Sequence, residues 1–218
     1  MIEVDHIIRR QSARSPSARA RQLFVIVVWD IAVNNNGSPA RDNSIPARWT
    51  RALAPPTPAA NVAPVSVPAP TSFYKRSNFV THLPTECLYS PSHFWLREIE
   101  PGRWRVGFTK FATRMLGEIV EVQWEKADAA PVASGEIIGS IEGFKAISDI
   151  YCVADGRFAG GNSALREKIE LVSEDPYGAG WLYAVDGIYD AKCIDLAAYC
   201  ALLDTTIDRI LEKQAHEE

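Results

Sequence analysis

Short runs in which apolar and polar residues alternate fill the chain from Leu88 onward, separated by Gly, Pro, Asn and Asp. Alternation puts successive side chains on opposite faces of a pleated strand, so such runs predict half-buried β-strands. The clearest are Trp104-Arg-Val106-Gly-Phe108, Glu118-Ile119-Val120-Glu121-Val122, Glu136-Ile137-Ile138-Gly139-Ser140-Ile141 and Ile150-Tyr151-Cys152-Val153. Asp155-Gly156 reads as the turn dipeptide that closes the last of them. Between the first two the period lengthens. Phe111, Met115 and Leu116 have helical spacing, Thr109 can cap the N-terminus and Gly117 ends the run, so a short helix is expected at 110–116. A second helix is expected between Cys193 and Lys213. There Leu196, Cys200, Leu203, Ile207, Ile210 and Leu211 recur on one face, with Asp195, Asp204, Asp208, Arg209 and Glu212 elsewhere on the wheel. The expected role of this helix is to cap a β-core, although a partner-binding helix would show the same stripe.

Residues 1–70 break this pattern. They hold an Arg/Ser/Ala-rich stretch over 9–21, a seven-residue apolar run from Leu23 to Trp29 that meets Asp30, and a Pro/Ala tract from Ala52 to Pro70. Seven apolar residues are too few to span a bilayer, and the proline tract cannot sustain a helix or a sheet ladder. Residues 1–70 are therefore expected to be a disordered extension with a Pro/Ala-rich linker, and 71–218 the folded domain. A transit peptide, a flexible tail and a misplaced translation start all remain open for the extension. Charge divides at the same place. Residues 1–70 carry eight arginines, no lysine and four acids; residues 71–218 carry 15 basic and 23 acidic residues. An acidic body argues against nucleic acid as a partner, because phosphate neutralisation needs clustered Lys and Arg. No membrane association is expected, and the domain is expected to be monomeric.

Independent catalysis has little support. Cys87, Cys152, Cys193 and Cys200 show no C-x-x-C spacing and no accompanying His pair, so no zinc site is expected, and the thiols read as reduced. The four histidines are scattered. Glu118 with Glu121, and Glu167 with Glu170, read as solvated surface acids. No catalytic residue and no metal ligand is assigned.

The segment Gly139-Ser-Ile-Glu142-Gly-Phe-Lys145-Ala-Ile-Ser148-Asp149-Ile150, with Gly156 beyond it, carries the chemistry. A lysine between two strands sits at the tip of a tight hairpin, where its ammonium projects from the sheet and a modifying enzyme can reach it. Glu142 and Asp149 favour the protonated amine and so act as recognition groups rather than activators. Gly139 and Gly156 mark places where close backbone approach or a positive φ is needed.

These residues resemble the lipoyl-attachment segment of the glycine cleavage system H protein family. Val106-Gly-Phe-Thr-Lys-Phe-Ala-Thr-Arg-Met-Leu-Gly-Glu-Ile-Val120 is similar to that family's Val-Gly-Ile-Thr…Ala…Leu-Gly-Asp-Ile-Val block. His93-Phe94-Trp95 matches its His-Glu-Trp at two of three positions, and Asp175-Pro-Tyr-Gly-Ala-Gly-Trp-Leu182 resembles its Asp-Pro-Tyr-Gly-x-Gly-Trp-Leu. Together the matching segments cover about Leu88 to Leu203. The resemblance implies a mainly β fold, a flattened barrel-sandwich hybrid of the lipoyl/biotinyl type with a short internal helix and a C-terminal helix. It implies a non-catalytic carrier with lipoic acid in amide linkage to Lys145. Gly139, Glu142, Ser148, Asp149 and Gly156 would be the recognition residues of the attachment segment. Glycine decarboxylase would load an aminomethyl group on the arm, an aminomethyltransferase would remove it, and dihydrolipoyl dehydrogenase would reoxidise the dithiol. A lipoate ligase or a lipoyl/octanoyl transferase would install the arm. The implied location is the cytoplasm, or the mitochondrial matrix in a eukaryote.

Departures from the family pattern bear on the partners. The usual Glu-Ser-Val-Lys is Glu142-Gly143-Phe144-Lys145, and the loop after Val122 begins Gln123-Trp124. Phe144 and Trp124 either pack beneath the hairpin or alter the docking face. In the second case the chain would be an H-like lipoyl carrier for another pathway, such as sulfur oxidation or lipoate relay. An unmodified lipoyl-like interaction module is the remaining alternative.

Overall fold

In the computed structural model, which describes residues 70–216, the alternating runs become three antiparallel sheets. A hairpin of β1 (Thr71–Arg76) and β2 (Phe79–Pro84) forms the first. β3 (Leu88–Tyr89), β4 (Phe94–Glu100) and β5 (Arg103–Phe108) build one half of a six-stranded sheet. β6 (Ile119–Trp124), β8 (Ile137–Gly143) and β9 (Ile147–Tyr151) make the third sheet, with β8 in the centre. β7 (Pro131–Val132), β10 (Ala154–Gly161) and β11 (Tyr183–Tyr189) complete the six-stranded sheet, whose order is β3-β4-β5-β11-β10-β7. The helices are α1 (Lys110–Leu116), the short α2 (Leu171–Glu174) and α3 (Leu196–Ala215). The expected extension, its apolar run and all but the last residue of its Pro/Ala tract lie outside the described residues.

Two cores hold these elements. In the first, Phe94, Leu96, Val106, Phe108, Phe158 and Val185 of the six-stranded sheet meet Ile119, Ile138, Ile141 and Ile150 of the three-stranded sheet. This is the flattened sandwich that the resemblance implied. Each such side chain, fully buried, contributes about 1.5–3 kcal/mol. The second core joins Tyr74, Phe79 and Leu83 of the hairpin to Tyr89, Trp95, Phe111, Tyr199, Leu203 and Ile207. Helix α1 takes part in both. Phe111 and Met115 face the second core, while Ala112 and Leu116, one residue further round the turn, face the first.

Several expectations need correction. The β-pattern starts before Leu88, at Thr71, because the pair Ser77-Asn78 turns an alternating stretch back on itself; Ser77 takes the positive φ of 49°. Asp155-Gly156 is not a turn. Both residues lie inside β10, paired with Ile188 and Gly187, and the lysine hairpin ends instead at Tyr151. The stripe on α3 also shifts. Tyr199 and Thr206 are buried beside Leu203 and Ile207, whereas Leu211 is 41% exposed, because the second core ends before the last turns of the helix. The expected cap and stop of α1 are present: the Thr109 side chain accepts from the Ala112 N–H, and Gly117 at φ 80° terminates the helix. Cys152 is buried as expected, and its thiol donates to the Ala154 carbonyl; Cys200 is only half-buried.

His93 ties the second core together. Its ring is buried at φ 64°, Nδ1 lies 2.9 Å from the Tyr199 hydroxyl, and that hydroxyl lies 2.9 Å from Thr109 Oγ1. Nε2 has no partner among the described residues, which fits a neutral ring carrying its proton on Nδ1. Burial holds its pKa down at about 4. The folded state therefore resists a proton that the unfolded chain takes up near pH 6.5. The resulting stability is fully present above pH 6.5 and is lost as pH falls towards 4, amounting to about 3 kcal/mol at the acid end. Urea unfolding of wild type and His93→Phe at pH 7, 5.5 and 4 checks this. The wild type should lose about 3 kcal/mol more than the variant over that range.

Candidate functional site

Lys145 occupies the three-residue connection between β8 and β9, and the loop is closed on itself and fastened below. Gly143 N–H donates to the Ala146 carbonyl at 2.8 Å, and Ala146 N–H returns a bond to the Gly143 carbonyl at 3.3 Å. Two further bonds leave the hairpin. Phe144 N–H donates to the Glu118 carbonyl at 2.7 Å, and Lys145 N–H to the Leu116 carbonyl at 3.0 Å. The acceptors flank the C-terminus of α1, where helix carbonyls lack intrahelical partners. The loop satisfies one of these orphaned groups, the Leu116 carbonyl, and takes its second bond from Glu118 just past the helix stop, so the helix end fixes the loop.

Glycine makes this approach possible at two positions. A Cβ on Gly143 would stand 2.5 Å from the Leu116 carbonyl oxygen, so the hairpin tip could not settle on α1 with a larger residue there. A Cβ on Gly117 would stand 3.0 Å from Lys145 Cγ and 3.3 Å from Cδ. The aliphatic stem of the lysine thus lies across bare backbone at the helix stop, with the residue exposed to solvent.

The remaining residues of the segment divide by face. Glu142 pairs with Glu121 on one side and Ile147 on the other, and Ser140 pairs with Asp149. These residues share the outer face of the sheet, so the structure brings Glu142 and Asp149 together beside the lysine tip. Glu142 is exposed; Asp149 is half-buried and accepts from the Tyr151 hydroxyl at 3.3 Å. Burial first, and then the Asp149 carboxylate, push the Tyr151 hydroxyl up to about 12, so it stays protonated as the donor. Ser148 lies on the inner face opposite Ile141, with its hydroxyl donating to the Asp149 carbonyl at 3.3 Å. Gly139 is buried where β6 passes close above it, a Cβ there meeting the Gln123 carbonyl oxygen at 2.2 Å. Gly156 is not on the hairpin at all. It belongs to the six-stranded sheet, between Val132 and Gly187, where a Cβ would meet the Asp186 carbonyl oxygen at 2.0 Å.

The two aromatic departures have opposite fates. Trp124 turns inward over Gly139 and packs against Phe158 and Tyr183, at centroid distances of 5.4 and 5.9 Å. Phe144 is 67% exposed at the tip, with Ile147 and Val120 also exposed on the same sheet. The seat of the lysine on Leu116, Gly117 and Glu118 was not legible from the sequence. Gly117 is readable as a helix stop, but nothing in the local pattern says that a loop nearly thirty residues away will rest on it. Among the described residues, no group of three or more His, Cys, Asp or Glu is placed to hold a metal ion, and no helix is long and apolar enough to cross a membrane.

A sequence profile described as the glycine cleavage H-protein matches residues 87–198. The glycine cleavage system H protein of Corynebacterium jeikeium is 38% identical over 125 residues, which cover 56% of this chain and 98% of that protein. The Enterobacter glycine cleavage system H protein is 35% identical over 128 residues, covering 57% and 98% respectively. Among solved structures, the glycine cleavage system H protein of Mycobacterium marinum superposes with a TM-score of 0.50 at 31% identity, covering 55% of this chain and 97% of that one. The profile match takes in the lysine hairpin, α1, both larger sheets and the first turn of α3; the β1–β2 hairpin lies outside it. The chain belongs to the glycine cleavage H-protein family of lipoyl carriers.

Proposed function

We propose that Lys145 carries lipoic acid as an amide. The observation that supports this most directly is the exposed lysine on a three-residue hairpin tip whose backbone is bonded to the end of α1. The residues present fit such a group. The stem lies over Gly117, the acyl chain would leave the surface near the exposed apolar side chains of Val120, Phe144 and Ile147, and Glu142 stands free for recognition by a ligase or transferase. When bound, the group would supply a pair of redox-active sulfurs: the disulfide opens as one sulfur takes an aminomethyl unit and the other becomes a thiol, and removal of the unit leaves the dithiol.

The chain's own contribution is presentation. Tethering holds the arm at a high effective concentration at each active site to which the domain docks, and a fixed hairpin keeps that docking geometry reproducible. The chain also avoids competing chemistry. Burial pushes the Cys152 and Cys193 thiols up to about 11 and about 12 and raises those of Cys87 and Cys200, so none is a ready thiolate at neutral pH. Because the relatives are named for the glycine cleavage system, the partners proposed are glycine decarboxylase, aminomethyltransferase and dihydrolipoyl dehydrogenase. The same names favour this role over a carrier for another pathway or an unmodified module.

Co-expression with a lipoate ligase should add the mass of one lipoyl group to the intact chain, and Lys145→Arg should abolish the addition. An unshifted wild-type mass would sink the attachment assignment. The lipoylated protein should support glycine–bicarbonate exchange with glycine decarboxylase, and absence of exchange would reassign the pathway. Gly143→Ser brings in the family's usual residue but drives its Cβ into the Leu116 carbonyl. Overpacking of this kind costs about 1–3 kcal/mol. A lower melting temperature, together with slower lipoylation than wild type, is the expected outcome.

A further inference from the structure

The lysine loop is bonded to the Leu116 carbonyl at the end of α1 and to the Glu118 carbonyl just past its Gly117 stop, so whatever holds α1 also sets the position of the lysine. Seven residues are too few for a helix to be stable alone in water, which leaves the placement of α1 to its packing. On the side away from the sandwich, the β1–β2 hairpin and α3 supply packing, beside the bonds that join Lys110 to the Tyr177 hydroxyl and the Ser173 carbonyl. Phe79 of β2 meets the Phe111 ring edge-on at 5.5 Å. The Arg114 guanidinium lies 5.7 Å over Phe79, and its Nη1 donates to the Asn78 carbonyl at 2.9 Å. Tyr199 of α3 holds Thr109, the residue that caps α1.

The hairpin is in turn fastened to α3. The Tyr74 hydroxyl donates to Asp204 at 2.8 Å, and the Arg76 guanidinium makes a two-pronged contact with Asp208 at 3.0 and 2.5 Å. Hairpin, α3 and α1 thereby form one bracket, with the hairpin lying outside the segment that the family profile matches.

We propose that the β1–β2 hairpin is a positioning element for the attachment lysine, acting through Phe79 and Arg114 on α1 and through α1 on the backbone of Phe144 and Lys145. The functional consequence rests on Lys145 being the modified residue; the mechanical coupling does not. Phe79 and Arg114 are positioning residues. They touch neither the lysine nor its arm, and they act by limiting how far the C-terminus of α1 can move.

Hydrogen–deuterium exchange on the full, unlipoylated chain tests the coupling directly. In Phe79→Ala the amides of Phe144 and Lys145 should exchange on the order of tenfold faster, while those of β10 and β11 keep their protection. Phe79→Leu should restore most of the protection. Arg114→Gln, a change at an exposed side chain that leaves both cores intact, should produce a smaller rise at the same two amides. It carries the test alone if Phe79→Ala does not fold. In lipoylation by a lipoate ligase, both weakened variants should show a raised KM for the carrier with kcat retained. Unchanged exchange at Phe144 and Lys145 would overturn the proposal, as would a rise that only parallels β10 and β11. Lys145→Arg separates the two layers. If lipoylation persists in that variant, the attachment assignment falls, while the exchange result still decides the coupling.

Discussion

Two backbone hydrogen bonds, from Lys145 to the Leu116 carbonyl that ends α1 and from Phe144 to the Glu118 carbonyl just past it, hold the lysine hairpin in place. A three-residue hairpin tip has few bonds of its own to hold it. Here the tip is bonded to a helix terminus, which has carbonyls to spare. The arrangement imposes constraints in both directions. Gly143 must lack a side chain for the strand to reach Leu116, and Gly117 must leave room for the lysine stem while adopting a positive φ. The departure of Gly143 from the family's usual serine, taken alone, looks like drift. Set against the Leu116 carbonyl it is a steric requirement of this particular loop.

Around that anchor the chain separates a buried interior from an exposed mixed face. The four thiols sit where burial keeps them protonated, and the buried His93 is kept neutral in the same way. The outer face beside the lysine instead offers Glu142 and Glu121 next to exposed Ile147 and Phe144. A mixed acidic and apolar face suits a partner surface with basic residues around an apolar patch, and it agrees with the excess of acids over bases in residues 71–218.

Much of this architecture was open to reading in one dimension. The strands around Trp104, Ile119 and Ile138 follow from alternation, and α1 from its spacing between Thr109 and Gly117. Glu142 and Asp149, the acids expected beside the lysine, lie on one face of the sheet that carries its loop. The misses share a physical cause. Asp155-Gly156 has turn chemistry, yet Gly156 is needed in a strand because the Asp186 carbonyl passes too close for any Cβ. Trp124 and Phe144 are equally aromatic, and only the packing of Phe158 and Tyr183 decides that one turns inward while the other stays out.

Local pattern thus determined which segments are strand or helix and which lysine lies between two strands. Those properties depend on periodicity, caps and residue type, which neighbouring residues encode. Tertiary structure alone decided that the lysine loop rests on α1, that α1 is shared between two cores, and that a hairpin well before the lysine helps to hold it. Such contacts join residues such as Phe79 with Phe111, and Leu116 with Lys145, that are thirty or so positions apart. Their partners are chosen by shape and by unsatisfied backbone groups, neither of which leaves a trace in the local pattern.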